Sequence, residues 1–186
     1  DVYSGKIHET AHLTTAKNAI AGQKHVVLIG GAVTGKTTLL RQLATRVVGF
    51  GQCLYIEEVT PEKAALLARD IDAEGQPVLA FIDNAADASE AVQVLAQSDN
   101  IKIVAAERDY VFDSVSHRFP KDRFTVLDVS GLNAVDTQAV QDHIPKDVNR
   151  RPYERRPDDF DMDVEPTFFE VITSTIVKNS LAERFM

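Results

Sequence analysis

Apolar residues along this chain fall into short continuous blocks, separated by longer stretches in which they recur at helical spacing. Val26 to Ile29 is a compact run of branched apolar residues, the pattern of a strand buried on both faces of a parallel sheet. Pro77 to Ile82 is another fully apolar strand, and Gln52 to Glu57, Ile101 to Ala105 and Phe124 to Val129 also read as strands. Between them, Lys36 to Val48 places Leu39, Leu40, Leu43, Val47 and Val48 on one helical face. Thr60 followed by Pro61 opens a helix to about Ala73. Asp87 with Glu90 has the spacing of a cap for a helix to about Ala96, and Asn133 caps one ending near Ile144. A short helix from Thr14 to Gly22 precedes the first strand.

Strand and helix in alternation predict a three-layer α/β fold, with a mostly parallel five-stranded sheet and helices on both faces. Residues 1–148 form the expected main domain. Residues 149–166 break the pattern with Arg150, Arg151, Arg155 and Arg156, then Asp158, Asp159, Asp161 and Asp163, interrupted by Pro152 and Pro157. They read as a charged linker or loop. Residues 167–186 begin with a helix to about Lys178 and read as the start of a helical subdomain. Asp1 in place of an initiator methionine, and the capping-box spacing of Ser180 and Glu183 so close to Met186, suggest a piece of a longer protein.

Composition narrows the function classes. The chain has 186 residues, 44% of them hydrophobic, which supports a sizeable core. Its formal charge of −8 argues against a general nucleic-acid-binding surface, which needs clustered positive charge. The single cysteine, Cys53, rules out an intrachain disulfide and reads as a small core residue. No apolar run reaches the ~18 to 20 residues needed to cross a bilayer, so no membrane partner is expected and the compartment reads as cytoplasmic. The histidines are scattered, with only a loose His8/His12 pair, and imply no metal site.

Chemistry concentrates at the ends of three strands. Gly30-Gly31-Ala32-Val33-Thr34-Gly35-Lys36-Thr37 fits G-x-x-x-x-G-K-[ST], and Thr38 continues it into the helix. In this motif backbone N–H groups converge on phosphates and the helix N-terminus adds its positive dipole end. Lys36 can neutralise β and γ phosphates, and the Thr37 hydroxyl can bind magnesium. The glycines Gly30, Gly31 and Gly35 are expected to supply positive φ angles and close approach. Val78-Leu79-Ala80-Phe81-Ile82-Asp83 is the Walker B pattern, which places the Asp83 carboxylate beside the phosphates to hold magnesium. The strand from Ile101 ends in Glu107-Arg108-Asp109, where Arg108 can sense a γ-phosphate or pair with a neighbouring carboxylate.

This order of motifs resembles the STAND class of signal-transducing P-loop ATPases, relatives of the AAA+ ATPases that include apoptotic and plant or bacterial immune regulators. The likeness covers roughly residues 20 to 145, including Phe124 to Ile144 with Leu127 and Ser130-Gly131-Leu132. It implies an ATP/ADP switch with Mg2+ that hydrolyses slowly, exchanges nucleotide on a trigger and forms homo-oligomers when active. It also implies other domains in the same longer chain, an effector and helical repeats. Preference for adenine follows from the resemblance, and no Asn-Lys-x-Asp guanine motif is present. Two departures stand out. Val33 occupies a position where such loops often have glycine, and Asn84 follows Asp83 where hydrolytic relatives often have glutamate. Glu57 or Glu58 is a candidate substitute base, although solvated glutamates in a loop is the plainer reading. A P-loop kinase with an Arg150–Arg156 lid and a nucleotide-bound interaction scaffold are the alternative functions.

Overall fold

Residues 8–47, 50–143 and 165–175 are described by the structure, a computed structural model. They fall into two compact units, divided between Val129 and Ser130. The first contains five strands, β1 (His25–Gly30), β2 (Gln52–Ile56), β3 (Val78–Asp83), β4 (Ile101–Arg108) and β5 (Phe124–Asp128). All pair in parallel, in the order β2-β3-β4-β1-β5. This is the α/β P-loop NTPase-like fold expected from the sequence. Helices α1 (Ala11–Ala21), α2 (Lys36–Arg46), α3 (Pro61–Glu74), α4 (Ser89–Leu95) and α5 (Asp109–Val115) complete the unit.

Alternation along each strand builds two cores. Val26, Leu28, Leu79, Phe81, Val104 and Ala106 face α1 and α2, packing with Leu13, Leu39, Leu40 and Leu43. Val27, Val78, Ala80, Ile82, Ile103 and Ala105 face the other way, against Ala64, Ile71, Val92, Leu95 and Phe112. Burial of both faces is what makes these strands read as unbroken apolar runs.

Element ends differ from the sequence expectations in informative ways. Thr60 accepts from the Lys63 N–H at 3.4 Å and Pro61 opens α3, as expected. Asp87 does not cap α4; Ala88 stands at that position with no side-chain cap. β4 runs three residues beyond Ala105, so Glu107 and Arg108 belong to the strand and not to a loop. Cys53 is exposed rather than in the core, because β2 is an edge strand whose pattern of exposure leaves its outer positions uncovered. Apolar periodicity did not reveal α5, whose buried contribution is the single residue Phe112.

The second unit contains α6 (Ala134–His143) and α7 (Phe168–Thr175). Asn133 caps α6 as expected, its Oδ1 accepting from the Asp136 N–H at 2.8 Å. Thr167 and Glu170 form a capping box at α7: the Thr167 N–H donates to Glu170 at 2.7 Å and the Glu170 N–H donates to the Thr167 hydroxyl at 3.3 Å. Leu132, Val140 and Val171 form a small core with Phe168 and Ile172. The arginine-rich and aspartate-rich stretch, 150–163, and the Ser180/Glu183 spacing lie outside the described residues.

Candidate nucleotide-binding site

Parallel strands bring every carboxyl end to one edge of the sheet, and the strand order decides which residues meet there. β1 delivers the glycine-rich turn and β3 delivers Asp83, with β4 between them. The turn from Gly30 to Lys36 enters α2, whose N-terminal residues Lys36, Thr37 and Thr38 lie at this edge.

Backbone angles in the turn correct the sequence expectation in part. Gly35 has φ 88, as expected of a glycine there, but Gly30 and Gly31 do not have positive φ. The other left-handed residue is Val33, at φ 62. The turn therefore keeps its shape with a β-branched residue in a conformation that favours glycine, a strained arrangement. A Cβ at Gly35 would meet no atom within 4 Å, so open space adjoins the loop there.

Side chains converge as the motif spacing predicts. The Thr37 hydroxyl donates to Asp83 Oδ2 at 2.6 Å, joining positions 46 residues apart. Asp83 Oδ1 accepts the Asn84 N–H at 3.2 Å. Lys36 Nζ donates to the Gly30 and Gly31 carbonyls at 2.8 and 2.6 Å, and to the Thr34 hydroxyl at 3.3 Å. The Thr34 hydroxyl donates in turn to the Gly31 carbonyl at 3.1 Å. Burial lowers the Lys36 pKa, opposed by the nearby carboxylates of Asp109, Asp83 and Glu107 and reinforced by Arg108. Lys36 thus stands in a field of mixed sign, its cation held over the mouth of the loop.

Residues from β4 behave differently from expectation. Arg108 Nη1 donates to the Tyr110 hydroxyl at 2.9 Å rather than pairing with Glu107 or Asp109, and this contact raises its pKa. Glu107, given no part of its own by sequence reasoning, is 5% exposed and stands next to last in β4, between the two motif-bearing strands. Its signal was the polar residue directly following the apolar run Ile103 to Ala106. Glu57 and Glu58 follow β2, three strand spacings or ~14 Å from β1, which places them poorly as a substitute base.

Oxygen ligands and a cationic loop fit a magnesium-nucleotide complex. A hydroxyl and a carboxylate in contact offer hard donors, and Mg2+ takes few protein ligands beside phosphate oxygens and water. Among the described residues no group of three or more His, Cys, Asp or Glu side chains could hold a metal on its own. An open groove of about 960 Å³ lies at the opposite, amino-terminal edge of the sheet. There Lys24, Lys102 and Arg123 donate to the carbonyls of Lys121, Gly22 and Ala96, so those cations serve the fold.

Among the described residues no helix is long and apolar enough to cross a membrane. No curated protein matches the chain. The profile of a family described as Novel STAND NTPase 5 matches residues 4–119, more than half of the chain and the whole span of both motifs. The chain therefore belongs to the STAND NTPases, as a nucleotide-binding signalling NTPase domain of the Novel STAND NTPase 5 family.

Proposed function

We propose that this domain is an ATP/ADP switch with slow magnesium-dependent hydrolysis, cytoplasmic, and part of a longer signalling or defence protein that self-associates when activated. The observation that carries the reading is the 2.6 Å contact between Thr37 and Asp83, which unites the two motifs in one oxygen-rich site. In this reading the backbone from Gly30 to Thr38 wraps the phosphates, with Ala32, Val33 and Thr34 shaping the loop. Lys36 leaves the Gly30 and Gly31 carbonyls for the β and γ oxygens. Thr37 and Asp83 hold the cation, which when bound offsets the charge of the β and γ phosphates. The strand-end carboxylates Asp83, Glu107, Asp109 and Asp128 support a divalent cation here, since a bare polyphosphate would meet repulsion.

Asn84 supports slow turnover, because it supplies no carboxylate next to Asp83 to activate water. Arg108 remains the candidate reader of the γ-phosphate, and reaching it requires release of the Tyr110 hydroxyl.

The test is nucleotide affinity, ATP turnover and solution mass for the wild type, Lys36→Ala and Asp83→Ala. Tight binding, slow turnover and ATP-dependent self-association are expected of the wild type in the full-length protein. Phosphoryl transfer to a small acceptor would replace the switch with a kinase. Absence of nucleotide binding would leave an interaction scaffold.

A further inference from the structure

Asp83 ends its strand, yet the turn that follows does not leave the sheet edge freely. Asn84 adopts φ 54, and the chain then folds across the end of the neighbouring strand. The Ala85 N–H donates to the Ala106 carbonyl at 3.0 Å. The Ala86 N–H donates to Glu107 Oε2 at 2.7 Å, and Glu107 Oε1 accepts the Arg108 N–H at 2.7 Å. Both oxygens of a carboxylate only 5% exposed are thus spent on backbone donors, one of them in the turn after Asp83. A buried charge is costly unless it is hydrogen-bonded, and contacts this short are of the charge-assisted kind. Nothing in the core needs a charge here, since the residues before Glu107 in β4 are apolar except Lys102. Its position between β1 and β3 makes it the side chain that can tie the Asp83 turn to the strand beside the phosphate loop.

We propose that Glu107 is a positioning residue that clamps the turn from Asp83 to Ala86 onto the end of β4, so that Asp83 is preorganised for magnesium. The proposal rests on the magnesium-nucleotide reading of Asp83. Both hydrogen bonds of Glu107 go to Ala86 and Arg108, neither of them in the turn between β1 and α2 that supplies the phosphate contacts. Magnesium affinity depends on where the Asp83 carboxylate stands, which the clamp sets. By linkage, the cation and the clamp must strengthen each other equally.

Two measurements test this. Fluorescent ADP is titrated in EDTA and in Mg2+ with wild type, Glu107→Gln and Asp83→Ala, beside thermal unfolding of each. Glutamine keeps the shape of Glu107 but turns an amide donor toward one of the two backbone N–H groups. ADP affinity in Mg2+ should fall on the order of tenfold in Glu107→Gln, while ADP affinity in EDTA should hold or rise, because a carboxylate that bears on Lys36 has lost its charge. Equal weakening in EDTA and in Mg2+ would show a merely structural role and overturn the clamp, as would an undiminished magnesium gain. A wild type without any magnesium gain would overturn the reading of Asp83 itself, and the clamp with it. The second measurement needs no variant, and decides the matter if Glu107→Gln fails to fold. Amide exchange at Ala86 should slow in wild-type protein with Mg-ADP relative to ADP in EDTA. Exchange at Ala86 that ignores magnesium would overturn the proposal.

Discussion

Replacing Val33 separates the torsional strain of the phosphate loop from the packing of its side chain. The residue sits at φ 62 and is 59% exposed, so it carries the left-handed penalty while burying little. That penalty is about 1–2 kcal/mol for an ordinary L residue. The part of the side chain that is covered contributes only about 0.5 kcal/mol. Asparagine visits the left-handed region readily, so Val33→Asn should recover most of the strain and stabilise the domain by roughly 0.5–1 kcal/mol. Val33→Gly recovers the same strain but loses about 0.4–1 kcal/mol through a freer unfolded chain, and should come out near zero. Gly35→Ala is the mirror experiment: at φ 88 with open space around a new Cβ, its whole cost is torsional. It should destabilise by about 0.5–1.5 kcal/mol once the unfolded-state gain is subtracted. Urea unfolding midpoints with a common slope report all three. Loss of more than ~1 kcal/mol in both Val33 variants would refute the strain argument, because the valine would then be favoured where it stands.

Other outcomes follow from the same structure. Thr37→Val removes the hydroxyl that donates to Asp83 at 2.6 Å. Mg-nucleotide affinity should fall about 10- to 100-fold, Thr37→Ser should restore it, and equal affinity in Thr37→Val and wild type would remove Thr37 from the site. Phe81→Ala, at a fully buried ring, should cost about 3–5 kcal/mol by urea unfolding. Leu66→Ala, at 53% exposure, should cost far less, and equal losses would contradict the placement of the core. His25 accepts the Ile103 N–H at 3.2 Å, and burial holds its pKa below the ordinary 6.5. The unfolded chain then takes up a proton that the folded chain resists. Its stabilising contribution is complete above about pH 6.5 and is lost as pH falls from there toward the lowered value. His25→Asn should flatten this acid-side loss in unfolding midpoints between pH 7.5 and 5.5 (~2 units); an unchanged slope would place the titration elsewhere.

Strands buried on both faces announce themselves, because every position in them must be apolar whatever its direction. That is why β1, β3 and β4 were legible from Val26, Val78 and Ile101 onward, and why the phosphate turn and Asp83 could be placed at one edge. β2 misled at Cys53, since an edge strand can keep the same residue types without the same cover. The left-handed angle at Val33 was only half legible: such loops often have glycine there, but the propensity of valine points away from that angle, and here the loop overrides it. Glu107 was missed because strand order is a long-range property. Sequence alternation says that β4 exists, but only the pairing of Val26 with Val104 and of Phe81 with the same Val104 puts it between the two motifs.

That insertion poses a geometric problem whose solution explains the site. With β4 between them, β1 and β3 lie two strand spacings or ~10 Å apart, too far for a residue on one strand end to touch the other. Contact between Thr37 and Asp83 is possible because α2 leaves the turn across the sheet face and packs on β3 and β4, carrying its first turn over the end of β4. A right-handed crossover toward β2 at the far edge requires this direction. From the other side, the turn after Asp83 folds back over the same strand end through Ala85 and Ala86. Two segments thus reach over β4 from opposite sides, and Glu107 holds one of them through the Ala86 N–H. A rearrangement that shifts the end of β4 must therefore act on Thr37 and Asp83 together, which is the coupling that the proposed switch requires.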